Sequence, residues 1–242
     1  GNAATLSHAA VSDNVSYMVD TTSPTATLTT GTGANTGDAV VQSSEAGTAY
    51  LVKTDVTITD VVSITAAADT KWNSVAIATV STNTNLSLAG LEDGEYKLYT
   101  VDAAGNLSTI TTLSTTNSYT VDNTPPTVST VSITSATGAK SDTLNEGDVI
   151  TATVTFNEDV TVTGTPQLAL NIGGTTVQAN YASGSGGKLL TFSYTVLVNQ
   201  NDANGISIDA DALTLNSGSI QDATGNAATL SHAAVSDNVS YM

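Results

Sequence analysis

The chain has 242 residues, of which 40% are hydrophobic and only 5% aromatic, and its 22 acidic residues against 5 lysines give a net charge of −17. This charge disfavours nucleic acid and anionic membrane surfaces as partners, because both require Lys or Arg to replace counterions. Cysteine is absent, which excludes a disulfide framework and a thiolate site.

The first part of the chain alternates between apolar and polar residues in a way that is typical of half-buried strands. Residues 96–101 give the clearest alternation, and they follow a turn rich in glycine and acidic residues at 90–95. A turn at 102–106 leads to a last strand that ends at Tyr119. The other strands predicted here are at 25–29, 49–53, 56–64, 75–80 and 85–88.

The second part repeats this plan with longer hairpins. Gly173-Gly174 is a hairpin signal between strands at 167–172 and 177–181. Residues 157–159 predict an acidic turn, and residues 222–226 predict a second turn before the final strand. The other strands predicted in this part are at 127–134, 149–156, 189–198 and 206–208.

An internal repeat divides the chain. Residues 1–18 are identical to residues 225–242, so the sequence repeats with a period of 224 residues. Within this period, the pattern Ser-Tyr-x-Val-Asp-x-x-x-Pro occurs at 16–24 and again at 118–126. We therefore predict that residues 1–18 are the last strand of a preceding repeat, either loosely ordered or swapped onto a neighbouring molecule in an otherwise monomeric protein.

The remaining residues predict two domains, at 19–121 and 122–242. Each has about seven short strands at roughly ten-residue spacing, which is the pattern of an immunoglobulin-like β-sandwich. The predicted fold class is all-β, with two tandem immunoglobulin-like β-sandwich domains joined by a short calcium-binding linker. No apolar run approaches the roughly 20 residues that a transmembrane helix needs, so we expect no membrane insertion.

Acidic turns supply the candidate metal ligands. Connections in a sandwich alternate between its two ends, so Asp122 is expected to lie near the turns at 157–159 and 222–226, and the facing end of the first domain offers Glu92 and Asp93. Asp20 and residues 102–106 mark an equivalent site upstream. Calcium is the candidate ion because it takes oxygen ligands. The alternative, that these carboxylates are exposed turn or capping residues, stays open.

Catalysis has little support. There is no nucleophile elbow and no phosphate-binding loop. The two histidines, His8 and His232, are copies of one position, and one histidine per period without cysteine does not supply a zinc site. We expect that the protein is not an enzyme.

Several motifs together resemble bacterial immunoglobulin-like repeats, and more narrowly the extender region of giant repeats-in-toxin adhesins of Gram-negative bacteria. They are Val-Asp-x-x-x-Pro at 19–24 and 121–126, Asp-Ala-x-Gly-Asn at 102–106 and 222–226, Asn-Glu-Gly-Asp at 145–148, and Phe-Asn-Glu-Asp at 156–159. The resemblance implies calcium-stiffened domains on the extracellular bacterial surface. The ion ligands that it implies are Asp20, Asp102, Asp122, Glu158, Asp159, Asp222 and Asn226. Asn106, in the turn at 102–106, is a further candidate ligand.

The resulting hypothesis is a structural extender that neighbours identical repeats in the same polypeptide. It would hold a distal ligand-binding region away from the cell for surface attachment or biofilm formation. The alternative is an adhesive module that binds a glycan or a peptide through its loops. Such a module needs an aromatic platform, for which Trp72, Tyr50, Tyr96 and Tyr99 are the available residues.

Overall fold

A computed structural model describes residues 19–108, 118–140 and 143–241. They are almost entirely β-structure arranged in several sheets, which agrees with an all-β sandwich. The predicted strand and swapping segment at 1–18 lie outside the described residues. Among those that are described, no helix is long and apolar enough to cross a membrane.

The first segment, residues 19–121, contains two sheets that share one core. The strands are β1 (Ala26–Leu28), β2 (Gly31–Gly33), β3 (Asp38–Ser43), β4 (Gly47–Lys53), β5 (Trp72–Ile77), β6 (Thr84–Ser87), β7 (Gly94–Asp102) and β8 (Ser118–Val121). The sheet orders are β1-β3-β6 and β2-β8-β7-β4-β5. Val41 and Leu86 from the smaller sheet pack with Leu51 and Tyr96 from the larger one, so the sheets lie face to face.

The second segment, residues 122–241, forms a larger sheet system. Its strands are β9 (Val128–Thr137), β10 (Val149–Thr163), β11 (Gln167–Ile172), β12 (Thr175–Ser183), β13 (Gly187–Thr195), β14 (Ile206–Ile208), β15 (Leu213–Thr214), β16 (Ser219–Gln221) and β17 (Val235–Asn238). They follow the order β16-β10-β13-β12-β11-β14-β17, with β9 beside β10 and β15 beside β11.

The core of the second segment follows from period-two alternation in β10. Ile150, Ala152, Val154 and Phe156 are all buried, because alternate side chains of a strand point to the same face. They pack with residues of the same segment, including Phe192. Among the described residues, no core cluster contains side chains from both sides of Asp122.

Two local predictions are wrong. The strand expected at 56–64 is replaced in part by helix α1 (Val61–Thr65). Asp60 and Ser63 form a capping box that starts this helix, and Ile64 packs in a small core with Val52. The acidic turn expected at 157–159 lies within β10, where the register of pairing with β13 shifts between Thr155 and Val160. Four residues of β10, at 156–159, lie opposite one residue of β13, so the strand bulges there, while buried and exposed side chains continue to alternate from Phe156 to Val160.

Other local predictions are confirmed. Gly173 and Gly174, both with positive φ, form the tight turn between β11 and β12, in which Ile172 pairs with Thr175. The alternating stretch at 96–101 lies within β7, where Tyr96 is fully buried.

Candidate metal centres

Three carboxylates converge where the second segment begins. Asp122 follows β8 directly, Glu158 lies in the bulge of β10, and Asp222 follows β16. One carboxylate oxygen from each lies within 4.8 Å of the other two. We call Asp122, Glu158 and Asp222 the second cluster. Asp122 therefore lies beside residue 158 and beside the turn at 222–226, as the sequence predicts, but residue 158 is in a strand and not in a turn.

An equivalent group lies where the first segment begins. Asp20, Glu45 and Asp102 also bring one carboxylate oxygen each to within 4.8 Å of the others. Asp102 ends β7, and Glu45 lies between β3 and β4. We call these three residues the first cluster. Glu45 was not among the predicted ligands.

The neighbouring hydrogen bonds show that the two clusters occupy equivalent places. The backbone N–H of Thr25 donates to Ser44 Oγ at 2.8 Å, and the N–H of Thr127 donates to Asn157 Oδ1 at 2.8 Å. Ser44 and Asn157 each directly precede the glutamate of their cluster. This shared position relates Glu45 to Glu158 in the structure, although the sequences around the two glutamates share no motif.

The turn after β16 holds the second cluster to the linker. Asp222 Oδ1 accepts hydrogen bonds from the backbone N–H of Thr224 at 2.8 Å and of Asn226 at 2.9 Å. Asn226 Nδ2 donates to Asp222 Oδ2 at 2.8 Å and to the carbonyl oxygen of Asp122 at 2.9 Å. Gly225 has a φ of 94°, which a side chain would disfavour. The Asp-Ala-x-Gly-Asn motif therefore forms a turn whose asparagine also donates a hydrogen bond to the linker backbone.

The turn after β7 repeats this arrangement. Asn106 Nδ2 donates to Asp102 Oδ2 at 2.8 Å and to the carbonyl oxygen of Asp20 at 3.1 Å, and Gly105 likewise has a φ of 94°. In both turns the asparagine amide nitrogen faces the linker, so each asparagine acts here as a donor that positions its cluster.

Each cluster contains a glutamate that is disfavoured as an anion. Burial raises the pKa of Glu158, and the negative charges of Asp122 and Asp222 raise that pKa further. Burial also raises the pKa of Glu45, with the same contribution from the two aspartates of its cluster. A positive charge between the carboxylates would remove this repulsion.

The aspartate of each turn behaves in the opposite way. Burial acts to raise the pKa of Asp222, but hydrogen bonds from Thr224 and Asn226 outweigh it and lower that pKa. Burial also acts to raise the pKa of Asp102. Hydrogen bonds from Asn106 and from nearby backbone N–H groups outweigh this effect and lower the pKa. Each cluster therefore combines one carboxylate that is held ionised with one that resists ionisation.

The donor set fits a hard divalent cation. Calcium binds oxygen ligands at 2.3–2.6 Å, so two ligands of one ion lie at most about 5 Å apart, and one carboxylate oxygen from each member of a cluster meets this condition. Lysine forms no salt bridge with either cluster in the described part of the chain, where the two ion pairs are Lys53–Glu92 and Lys71–Asp55.

Three of the predicted carboxylate ligands lie outside both clusters. Asp159 is exposed on β10. Glu92 accepts a hydrogen bond from Lys53 Nζ at 2.7 Å and another from Thr70 Oγ1 at 3.2 Å. Asp93 contacts the linker, but from the side of the first segment.

Asp93 and Asn35 connect the linker to the first segment. Asp93 Oδ1 accepts from the backbone N–H of Asn123 at 2.8 Å, and Asp93 Oδ2 accepts from the hydroxyl of Thr124. Asn123 Oδ1 accepts from the N–H of Asn35 at 2.7 Å, and Asn123 Nδ2 donates to the carbonyl of Leu91 at 3.1 Å. The hydrogen bond from Thr124 is the main reason that the pKa of Asp93 is lowered.

Asp93→Ala is expected to loosen the linker without unfolding either segment. The side chain is exposed, so its removal should change the free energy of unfolding by no more than about 0.5 kcal/mol. The Asn123 N–H loses its acceptor, and we expect its hydrogen exchange to accelerate about tenfold, as loss of one hydrogen bond predicts. Glu95→Ala is the matched control, because it removes an exposed carboxylate two residues further along the chain, in β7. Equal Asn123 protection in both variants would contradict this role of Asp93.

Comparisons with known proteins give no family. No family model matches the chain, and no curated protein matches it. Among solved structures, it is similar to dimeric latent PorU from Porphyromonas gingivalis, with 14% sequence identity and a TM-score of 0.23. The similarity covers 89% of this chain and spans 24% of PorU. A TM-score this low carries no argument about fold or function.

Proposed function

We propose that this chain is part of a calcium-stiffened extender in a bacterial cell-surface adhesin, built from tandem immunoglobulin-like domains at 19–121 and 122–242. The observation that carries the proposal is the pair of equivalent carboxylate clusters, each at the linker that precedes a segment. A repeated site at repeated linkers suits a protein in which one geometry is copied along a chain, whereas an enzyme needs one particular pocket.

The linker at 122–126 is attached on both sides. Toward the first segment it is held by Asp93 and Asn35. Toward the second segment, Asn226 binds the carbonyl of Asp122, whose carboxylate joins the second cluster. Pro125 and Pro126 restrict the backbone between these attachments. Fixing Asp122 to Glu158 and Asp222 therefore fixes the direction in which the second segment leaves the first.

Asp122, Glu158 and Asp222 would hold one calcium ion, and Asp20, Glu45 and Asp102 would hold another. Bound calcium supplies the positive charge that offsets the mutual repulsion of three carboxylates. The turn asparagines Asn106 and Asn226 hold the linker carbonyls in place beside these sites.

In this proposal the neighbours of the chain are further copies in the same polypeptide, outside the bacterial cell. Its role is to project a distal ligand-binding region for surface attachment or biofilm formation. The 18-residue identity between 1–18 and 225–242 supports a part that is repeated in register, because a spacer requires the same fold many times.

The aromatic residues give less support to a glycan- or peptide-binding module. Tyr96 and Tyr99 are buried in two cores. Trp72 packs against Tyr50 at a ring-centroid distance of 6.0 Å and joins the same small core as Tyr99. These four side chains stabilise the first segment, and their rings do not form one exposed platform.

Removal of calcium tests the proposal. We expect chelation to lower the thermal midpoint and to shorten the average end-to-end dimension measured by small-angle scattering, because flexible linkers also permit bent arrangements of the segments. A site with free calcium a hundredfold above its Kd contributes about 2.7 kcal/mol to stability. Sodium chloride at matched ionic strength controls for general screening of the charge of −17. Identical midpoints and dimensions with and without calcium would contradict the proposal.

A further inference from the structure

Residues 225–242, which we call the C-terminal peptide, lie on the outside of the second segment. Every buried hydrophobic residue in the core of that segment falls between Ile133 and Ile220. The described part of the C-terminal peptide adds half-buried side chains to this core, and they are Ala228, Leu230, Val235 and Tyr241. The C-terminal peptide therefore packs against a core that other residues build.

The C-terminal peptide begins as an extended chain and ends as an edge strand. Asn226, Ala228, Leu230 and His232 are half-buried, whereas the residues between them are exposed, because successive side chains of an extended chain point to opposite faces. Further along, β17 is the last strand in the order of its sheet and pairs with β14. A strand at the edge of a sheet can separate from it while the rest of the sheet stays paired.

Two backbone hydrogen bonds fix the register of the C-terminal peptide. Near its start, the N–H of Thr229 donates to the carbonyl of Pro126 at 2.8 Å. Near its end, the N–H of Ile206 donates to the carbonyl of Tyr241 at 3.1 Å. The residues between these two points therefore each have one place on the second segment.

His232 makes the most specific of these attachments. The N–H groups of Ala212 and Leu213 donate to His232 Nε2 at 3.0 and 3.3 Å. The N–H of His232 in turn donates to Asp211 Oδ1 at 2.9 Å. The imidazole is thus an acceptor for two backbone N–H groups of the loop at 211–213, and its removal takes that acceptor from both.

The chain contains this peptide twice. Residues 1–18, which we call the N-terminal peptide, have the same sequence as the C-terminal peptide at all 18 positions. The counterparts of the four half-buried residues at 226–232 are Asn2, Ala4, Leu6 and His8. Peptides of identical sequence can make identical contacts, so the surface that holds the C-terminal peptide fits the N-terminal peptide equally well.

We propose that the chain binds a second molecule of itself by strand exchange, in which the N-terminal peptide of one molecule replaces the C-terminal peptide on the second segment of another. Molecules would then join head to tail, with the exchanged peptide beside β14 and His8 against the loop at 211–213. This inference goes beyond the proposed function and does not depend on calcium, because the six carboxylates of the two clusters lie outside both peptides.

The covalent attachment of the C-terminal peptide decides which peptide is bound. A tethered peptide competes at an effective concentration in the millimolar range, so the unmodified chain keeps its own C-terminal peptide at micromolar concentrations. His232→Ala should weaken binding of the C-terminal peptide about 10–100-fold, because two N–H groups lose an acceptor. It leaves the N-terminal peptide unchanged, so exchange should appear at about 10–100 µM protein.

Sedimentation velocity of the full chain measures this association. We expect His232→Ala to be monomeric at about 1 µM and to form dimers and longer oligomers at about 200 µM. His8→Ala is the matched control, because it makes the same change in the other peptide, and it should stay monomeric. His8→Ala with His232→Ala makes the two peptides equal again. At about 1 µM this double variant should unfold at the midpoint of His232→Ala, but it should stay monomeric at about 200 µM.

A monomeric His232→Ala chain at about 200 µM would overturn the proposal. Equal association of the single and the double variant would also overturn it, because the association would then not require an intact N-terminal peptide.

A cross-link between molecules tests the position of the exchanged peptide. Asn204 Nδ2 donates to Asp237 Oδ2 at 2.6 Å, and Asp13 is the counterpart of Asp237 in the N-terminal peptide. The sequence lacks cysteine, so Asp13→Cys and Asn204→Cys can be placed in separate His232→Ala chains, mixed at about 200 µM and treated with a short bis-maleimide. We expect a link between the two chains.

Thr57→Cys in place of Asn204→Cys is the control for random collision, because Thr57 is exposed in the first segment. Equal yields for Asn204→Cys and Thr57→Cys would overturn the proposed position. If His232→Ala does not fold, the same pair of measurements is made with His232 retained at about 1 mM protein, where exchange is also expected, and equal yields there have the same meaning.

Discussion

Asp222→Ala is expected to lower the free energy of unfolding of the second segment by about 3 kcal/mol, because several donors of the half-buried residues Thr224 and Asn226 lose their acceptor. The side chain is 7% exposed and accepts hydrogen bonds from the N–H groups of Thr224 and Asn226 and from both of their side chains. Much of this loss should persist without calcium, because those bonds shape the turn itself. In the proposed calcium-bound state, the variant would also lose a ligand.

Urea denaturation followed by circular dichroism measures this loss. The single tryptophan, Trp72, packs in the first segment, so its fluorescence should report a transition that Asp222→Ala leaves unchanged. Asp159→Ala is the control of equal charge, because Asp159 is exposed and lies outside the cluster. It should change the free energy of unfolding by less than about 0.5 kcal/mol. Equal urea midpoints for the two variants would contradict the role given to Asp222.

The pattern of strands could be predicted where one face of the strand is buried. The alternation in β7 and β10 and the double glycine between β11 and β12 are local signals, and each is present in the structure. The region at 56–64 also alternates, but its conformation depends on Asp60 and Ser63, whose reciprocal hydrogen bonds start a helix. The alternation of apolar and polar residues does not by itself reveal that capping interaction.

The aspartates of the clusters could be predicted because they recur in the same short patterns. Asp20 and Asp122 follow the same Ser-Tyr-x-Val pattern, while Asp102 and Asp222 begin the same five-residue turn. Glu45 does not share the Phe-Asn-Glu-Asp pattern of Glu158, so the search for motifs missed it. The position of Glu45 depends on a hydrogen bond from the backbone N–H of Thr25 to Ser44 Oγ, and these two residues are 19 positions apart in the sequence.

The expectation that Asp93 lies at the joint rests on topology and agrees with its bonds to Asn123 and Thr124. Topology does not predict that Asp93 binds the linker residues Asn123 and Thr124 and lies outside the carboxylate cluster. Glu92 is the next residue along the chain, but Lys53 holds its carboxylate as an ion pair at 2.7 Å. A chain with only 5 lysines among 22 acidic residues leaves few cations for such pairs, and sequence position does not reveal which carboxylates obtain them.

Glu158→Gln is expected to have opposite effects with and without calcium. The pKa of Glu158 is raised above its ordinary value of 4.5, first by burial and then by Asp122 and Asp222. A group whose pKa is raised in the folded protein favours folding while it is protonated. This contribution is lost as the pH rises through the pKa that the group has in the folded protein. At pH 7 without calcium the ionised side chain therefore destabilises the second segment, and the neutral amide should raise the thermal midpoint.

With calcium present, the same variant removes a charged ligand and should weaken binding at the second cluster by about 10–100-fold, since ligand charge sets the affinity of such sites. Calorimetric titration and thermal unfolding, each with and without calcium, measure the two effects. In the unmodified protein, calcium affinity should also fall with decreasing pH as Glu158 and Glu45, whose pKa values are raised by burial and by the neighbouring aspartates, take up protons. Glu45→Gln repeats the test at the first cluster. Destabilisation by Glu158→Gln in the calcium-free protein would show that repulsion among the three carboxylates does not control this site.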